Sequence, residues 1–279
     1  MRLMQVSIGG LILGIAATGC SNRAAAQTPP PMIDQVGSDG AASANALRPD
    51  SSVDDVLDAL HNRGQDLKEF VADVTLTDVD TVMGSSTKRI GKVWFQSRPD
   101  GDARLHVRFD RKSIEDKPPM PEEKEYLLDG GWLVDRDYRA KVEVRRQVSR
   151  PGEKVNLFQL GKGPFPLPIG QERKSVHDMF EVTKAPPAKD DPPASIHLQL
   201  APKPGTDLER KFATIDVWVD PATRMPVRIQ TLDREKTTQR QTDFANLKVN
   251  PSPGLKDDDF ALPSIENQGW SRHDEPYAQ

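Results

Sequence analysis

The sequence predicts an α+β protein: one strongly curved antiparallel sheet, or open barrel, preceded by a single strong helix. Three observations carry this. An apolar stripe at helical spacing occurs once, from residue 53; two-residue alternation then recurs from residue 70 to residue 249; and turn-forming residues punctuate the alternating runs. No internal repeat and no later shift of composition interrupts the pattern, so one folded domain is expected over residues 51–263.

The helix opens at Ser51-Ser52, whose hydroxyls suit the orphan N–H groups of a first turn, with Asp54 and Asp55 at the positive end of the dipole. Val53, Val56, Leu57, Leu60 and Leu67 make its apolar stripe, and Gly64 weakens the last turn. Phe70, Ala72, Val74 and Leu76 then share one strand face, with Asp73, Thr75 and Thr77 on the other. Gly84-Ser85-Ser86 turns the chain into a strand over 88–97. Leu105, Val107 and Phe109 alternate with Arg104, His106 and Arg108 in the next. Asp129-Gly130-Gly131, between Tyr126-Leu127-Leu128 and Trp132-Leu133-Val134, is a tight hairpin signal. Ala140, Val142 and Val144 continue the alternation. After a less regular middle, short strands fall at 180–182 and 196–200, and a meander at 213–219, 226–232 and 237–249, its first corner set by Asp220-Pro221-Ala222-Thr223. Residues 184–193 are a proline-rich loop, and 264–279 reads as a flexible tail, frayed from Gln268.

Composition excludes several functions. Hydrophobic residues are 36% of the 279, with 24 prolines and 19 glycines, enough for one core with many turns. The net charge of −4 offers no broad basic field, which argues against a nucleic-acid partner. A single cysteine rules out an internal disulfide framework and any zinc site built on several thiolates. The five histidines are scattered without metal-ligand spacing, and no G-x-S-x-G elbow occurs, so neither a metal, a cofactor nor an enzyme activity is expected. Gly161-Lys162-Gly163-Pro164 lacks the spacing of a phosphate loop, and Asp257-Asp258-Asp259 lacks the rest of a calcium loop.

The N-terminus sets the compartment. Arg2 followed by an apolar run over 6–17 reads as a secretory signal over 1–19. Ala17-Thr18-Gly19-Cys20 resembles a bacterial lipobox, which makes Cys20 the lipidated first residue of the mature chain; the alternative is cleavage after Ala24-Ala25-Ala26. Two or three acyl chains meet the condition for stable membrane anchoring. Ser21 in the following position favours the outer membrane, facing the periplasm. Residues 20–50 then form the lipidated cysteine and a flexible tether, whose 30 residues after Cys20 reach about 30 Å on average.

Four segments, in this order, resemble the LolA/LolB-like lipoprotein-carrier superfamily. They are Gly91-Lys92-Val93-Trp94-Phe95-Gln96-Ser97-Arg98-Pro99, Tyr126-Leu127-Leu128-Asp129-Gly130-Gly131-Trp132-Leu133, Val219-Asp220-Pro221-Ala222-Thr223-Arg224-Met225-Pro226-Val227-Arg228 and Phe260-Ala261-Leu262-Pro263. The resemblance implies an open half-barrel of about ten to eleven antiparallel strands, with helices covering a concave apolar face. It implies a non-enzymatic carrier or acceptor in lipoprotein sorting, with acyl chains of lipids or lipoproteins as ligands. The fold also resembles RseB-like regulators, which implies an envelope sensor or scaffold with a protein partner as the alternative. Trp94, Leu105, Val107, Phe109, Trp132 and Leu133 are then candidates to line the cavity, or else ordinary sheet core. Arg98 matches the family's lid-contacting arginine, or is an exposed arginine at a strand end. Leu157, Phe158, Leu160, Phe165 and Leu167 form a mobile apolar flap over the cavity, or a loop pinned to the core. Asp100-Gly101-Asp102 departs from the carrier pattern, and a lipidated terminus points to a tethered, LolB-like arrangement.

Overall fold

The computed structural model describes residues 47–98, 102–115, 117–150 and 169–277. The signal segment, Cys20, the tether up to residue 46 and the five flap residues Leu157, Phe158, Leu160, Phe165 and Leu167 lie outside them.

Helix α1 (Val53–Asp66) starts at a capping box. Ser52 Oγ accepts from the Asp55 N–H at 3.1 Å, and the Asp55 carboxylate accepts from the Ser52 N–H at 2.9 Å. Its buried side chains are Val56, Leu57, Ala59 and Leu60, so the stripe read from the sequence is the face that packs. Six strands follow: β1 (Glu69–Asp80), β2 (Ser85–Ser97), β3 (Ala103–Ile114), β4 (Met120–Asp129), β5 (Trp132–Asp137) and β6 (Val142–Gln147). A short helix α2 (Arg173–Met179) leads into β7 (Phe180–Lys184), β8 (Ile196–Pro202), β9 (Phe212–Val219), β10 (Pro226–Asp233) and β11 (Thr238–Val249). A 3-10 turn at Asp257–Phe260 precedes β12 (Ser271–Glu275).

Among the described residues these strands form one sheet in the order β12-β6-β5-β4-β3-β2-β1-β11-β10-β9-β8-β7. Its two end strands do not meet, so the sheet is open, as a half-barrel requires. The tight turn between β4 and β5 uses Gly130 and Gly131 at φ +56° and +79°, a conformation that favours glycine.

The strand count is twelve and exceeds the ten to eleven expected. The additional strand is β12, which lies in the supposed tail and pairs with β6 in parallel, so the sheet is not wholly antiparallel and residues 264–279 are not all a free end. Charge attaches it: Arg272 Nε donates to Glu143 at 2.6 Å, and Arg146 Nε donates to Glu275 at 2.7 Å. A strand of sequence Ser-Arg-His-Asp-Glu, exposed at all five residues, carries no apolar alternation, which is why its sequence reads as unstructured.

The register sorts the side chains onto two faces. On one, Phe70, Phe95, Leu105 and Leu128 lie in a cross-strand row over β1–β4. Leu198, Val217 and Ile229 make the corresponding row over β8–β10. Val56, Leu57 and Leu60 of α1 and Val176 of α2 join the same core, so both helices pack on this apolar face. The chain after β11 crosses the opposite, polar face. Leu255 N–H meets Glu69 of β1, Asp257 meets Arg104 of β3, the Pro263 carbonyl meets Arg136 of β5, and β12 then docks on β6.

Candidate functional site

The apolar face is the sequence-predicted cavity, and the structure divides the candidates for it. Leu105, Val107 and Phe109 lie on it, each at most 7% exposed. Leu133 joins them half-buried, opposite Leu128. Trp94 and Trp132 do not. Trp94 falls between Val93 and Phe95 in the two-residue period, and its indole stacks on the His106 ring at 5.1 Å on the polar face. Trp132 is adjacent in the strand to Leu133 and therefore faces away from it; its ring lies 5.0 Å beneath the Arg145 guanidinium.

Phe70, Ile169, Met225, Pro226, Phe244 and Leu247 surround an apolar cleft where β1, β10 and β11 meet the turn before α2. Its internal space is about 10 Å³. That is of the order of one water, against the several hundred Å³ usual for a ligand pocket. This cleft is therefore packed shut among the described residues. Sequence reasoning missed Met225, Phe244 and Leu247 because they sit at strand ends and in a bulged strand, off the clean alternation.

Arg98, the residue after β2, makes a two-pronged contact to Asp129, Nη1–Oδ1 2.7 Å and Nη2–Oδ2 3.0 Å, and lies 3.6 Å from Asp102. These described partners are the last residue of β4 and the residue before β3, at its own end of the sheet. It clamps the β4–β5 hairpin to the end of β2.

The polar face holds a buried ionic row that the sequence suggests only as an alternating solvent face. His106 is 5% exposed, and its Nδ1 donates to the Asp259 carbonyl oxygen at 2.7 Å, leaving Nε2 3.7 Å from Glu125. Tyr138 donates its hydroxyl to the other Glu125 oxygen at 2.5 Å. Burial and the Glu125 carboxylate push the Tyr138 hydroxyl up to about 12. Glu143, 1% exposed, accepts from Arg136 and Arg272 at 2.6 Å each. A further groove of about 290 Å³ lies beside the loop between β7 and β8, lined by Pro49, Pro187, Pro192, Pro193, Asp191 and His197 among others. No group of three or more His, Cys, Asp or Glu side chains among the described residues is arranged to hold a metal ion.

No protein-family model and no curated protein matches the chain. Solved structures similar to it include an uncharacterized conserved protein from Thermus thermophilus, 13% identical over 80% of this chain and 100% of that one, with a TM-score of 0.44. The MucA/MucB complex of Pseudomonas aeruginosa matches at 11% identity and a TM-score of 0.43. That match covers 75% of this chain and 61% of the other. A LolA superfamily protein from Nitrosomonas europaea matches at 10% identity over 74% and 97%, with a TM-score of 0.28. Likenesses of this size carry no argument about activity, which has to rest on the chain's own residues.

Proposed function

We propose that this chain is a non-enzymatic cell-envelope protein whose apolar sheet face binds acyl chains of lipids or lipoproteins. In this reading it is an acceptor or carrier in lipoprotein sorting, held at the outer membrane through Cys20 and facing the periplasm. The observation that carries the reading is the covering of that face. Two helices, one of 14 residues and one of 7, and a turn pack into one core with an apolar surface that extends from β4 to β8. An open sheet needs apolar material over such a surface, and short helices on loops are elements that can be exchanged for a ligand. The driving force is apolar transfer, about 0.8 kcal/mol per methylene, so a fully enclosed fourteen-carbon chain gains on the order of 10 kcal/mol. Membrane insertion regains a similar amount, which makes handover nearly neutral.

Native mass spectrometry and lipid extraction of the purified chain test the proposal. Co-purifying lipid, or saturable uptake of a fluorescent fatty acid, is the expected result. Repeated absence of both overturns it.

One observation favours the alternative, an envelope sensor or scaffold for a protein partner. All five residues of β12 are exposed at the end of the sheet, where its outer backbone groups offer pairing to another strand. Stoichiometric recovery of an envelope protein with the chain, without lipidated clients, would rank this reading first.

A further inference from the structure

We propose, resting on the acyl-chain reading, that Ile169 is a resident occupant of the lipid site. Its side chain fills the place the end of an acyl chain takes, and the Ile169-Gly170 turn has to leave α1 before a ligand can enter. Ile169 belongs to no helix or strand, yet it is 1% exposed and forms one wall of the nearly filled cleft against Phe70, Phe244 and Leu247. A branched aliphatic side chain offers the same surface chemistry as the terminal carbons of a fatty acid, so replacing one by the other exchanges apolar contact for apolar contact.

The attachment of the turn is local. The Gly170 N–H donates to the Leu60 carbonyl oxygen at 3.1 Å, and the Gly170 carbonyl faces His61 Nδ1 at 3.3 Å. Gly170 has φ +72°, and a Cβ on Gly64 would lie 2.2 Å from Gly170 Cα. The backbones of α1 and the turn thus touch with no side chain between them. Gly64, which in the sequence looks like a weak point of the helix, is what lets the turn seat. Among the described residues no ladder of sheet hydrogen bonds holds Ile169 in place, so the turn can detach while β1, β10 and β11 stay paired. In population terms the seated turn competes with the ligand, and the apparent affinity falls by the fraction of molecules in which it is seated.

Uptake of cis-parinaric acid, a fluorescent fatty acid, by the full chain tests this. Ile169→Ala removes most of the occupant, Ile169→Val trims it with little risk to folding, and Gly64→Ala forces the turn off α1. Phe260→Ala, a buried residue of the turn that packs over Arg104 on the opposite, polar face, controls for general loosening; circular dichroism and thermal melting check folding. Apparent affinity is expected to rise about tenfold in Ile169→Ala and in Gly64→Ala. Ile169→Val should fall between Ile169→Ala and wild type, and Phe260→Ala should match wild type. Binding by wild type as tight as by the folded variants, or an equal gain in Phe260→Ala, overturns the role of Ile169 and leaves the acyl-chain reading standing. Absence of binding in wild type and in every folded variant overturns the acyl-chain reading itself.

Discussion

Burial opposes the charge on Glu125, but the neighbouring His106 ring, the Tyr138 hydroxyl and the Arg108 guanidinium outweigh it and hold the carboxyl below its ordinary range. Stability from this group is complete at neutral pH and is lost as pH falls through the carboxylate range to the lower folded value. Tyr138 behaves in the opposite sense. Its folded value of about 12 lies above the unfolded one, so its contribution is complete below about pH 10 and is lost as pH rises through 12. Tyr138→Phe is therefore expected to lower stability by about 1.5 kcal/mol at neutral pH, at the low end for a hydrogen bond to a charged group. Urea midpoints should show the gap between variant and wild type closing between pH 10 and 12. Arg136→Ala strands Glu143 with Arg272 alone and should cost about 3–5 kcal/mol, read from the same titrations. Grouping Trp94 and Trp132 with Leu105 and Leu133 as cavity lining goes against the two-residue period, which puts adjacent strand residues on opposite faces. Burial of the ionic row is not legible. Arg104, His106, Glu125, Arg136 and Glu143 alternate as a solvent face does, and they are covered by chain that returns from more than a hundred residues away.

Elements were legible where an apolar period met a turn signal. Helix α1 has both a stripe and a capping box, and the strands from β1 to β11 follow the alternation to within a few residues. Helix α2 does not: in Arg-Lys-Ser-Val-His-Asp-Met only Val176 is buried, so no stripe announces it. Strand β12 escapes for the same reason, being held by charge. Ser52→Ala should destabilise the chain by about 1 kcal/mol through loss of the α1 cap, a shift visible by thermal melting. Removing residues 271–277 is expected to act on two measurements. It takes Arg272 from the buried Glu143, which lowers the urea midpoint. It also bares the edge of β6, which should appear as concentration-dependent association in sedimentation.

For the whole molecule, the open sheet and its helix-covered face follow from sequence patterning, whereas the shut state of the cleft does not, because packing at Ile169 depends on a backbone contact between two glycines far apart in the chain. The anchor belongs to this scale as well. If Cys20 carries lipid, Cys20→Ser leaves the chain uncleaved or free of the membrane while its thermal melt is unchanged, since the sequence of the tether has no apolar period with which to pack; intact mass after fractionation decides it, and an unmodified wild-type chain starting at Gln27 overturns it. The seam between β1 and β11 has a consequence of another kind. Phe70 lies opposite Val249, and β1 occupies the middle of the sheet, so its second neighbour is supplied by almost the last strand made. Contacts of such long range make folding slow, in the range of about milliseconds to seconds once the chain is complete. Pulse-labelled hydrogen exchange should find the sequential hairpins from β2 to β6 protected before β1 and β11. Until residue 249 has left the ribosome the two halves of the sheet cannot be joined, so the hairpins made first wait, with one edge of β1 unpaired, for almost the last strand of the chain.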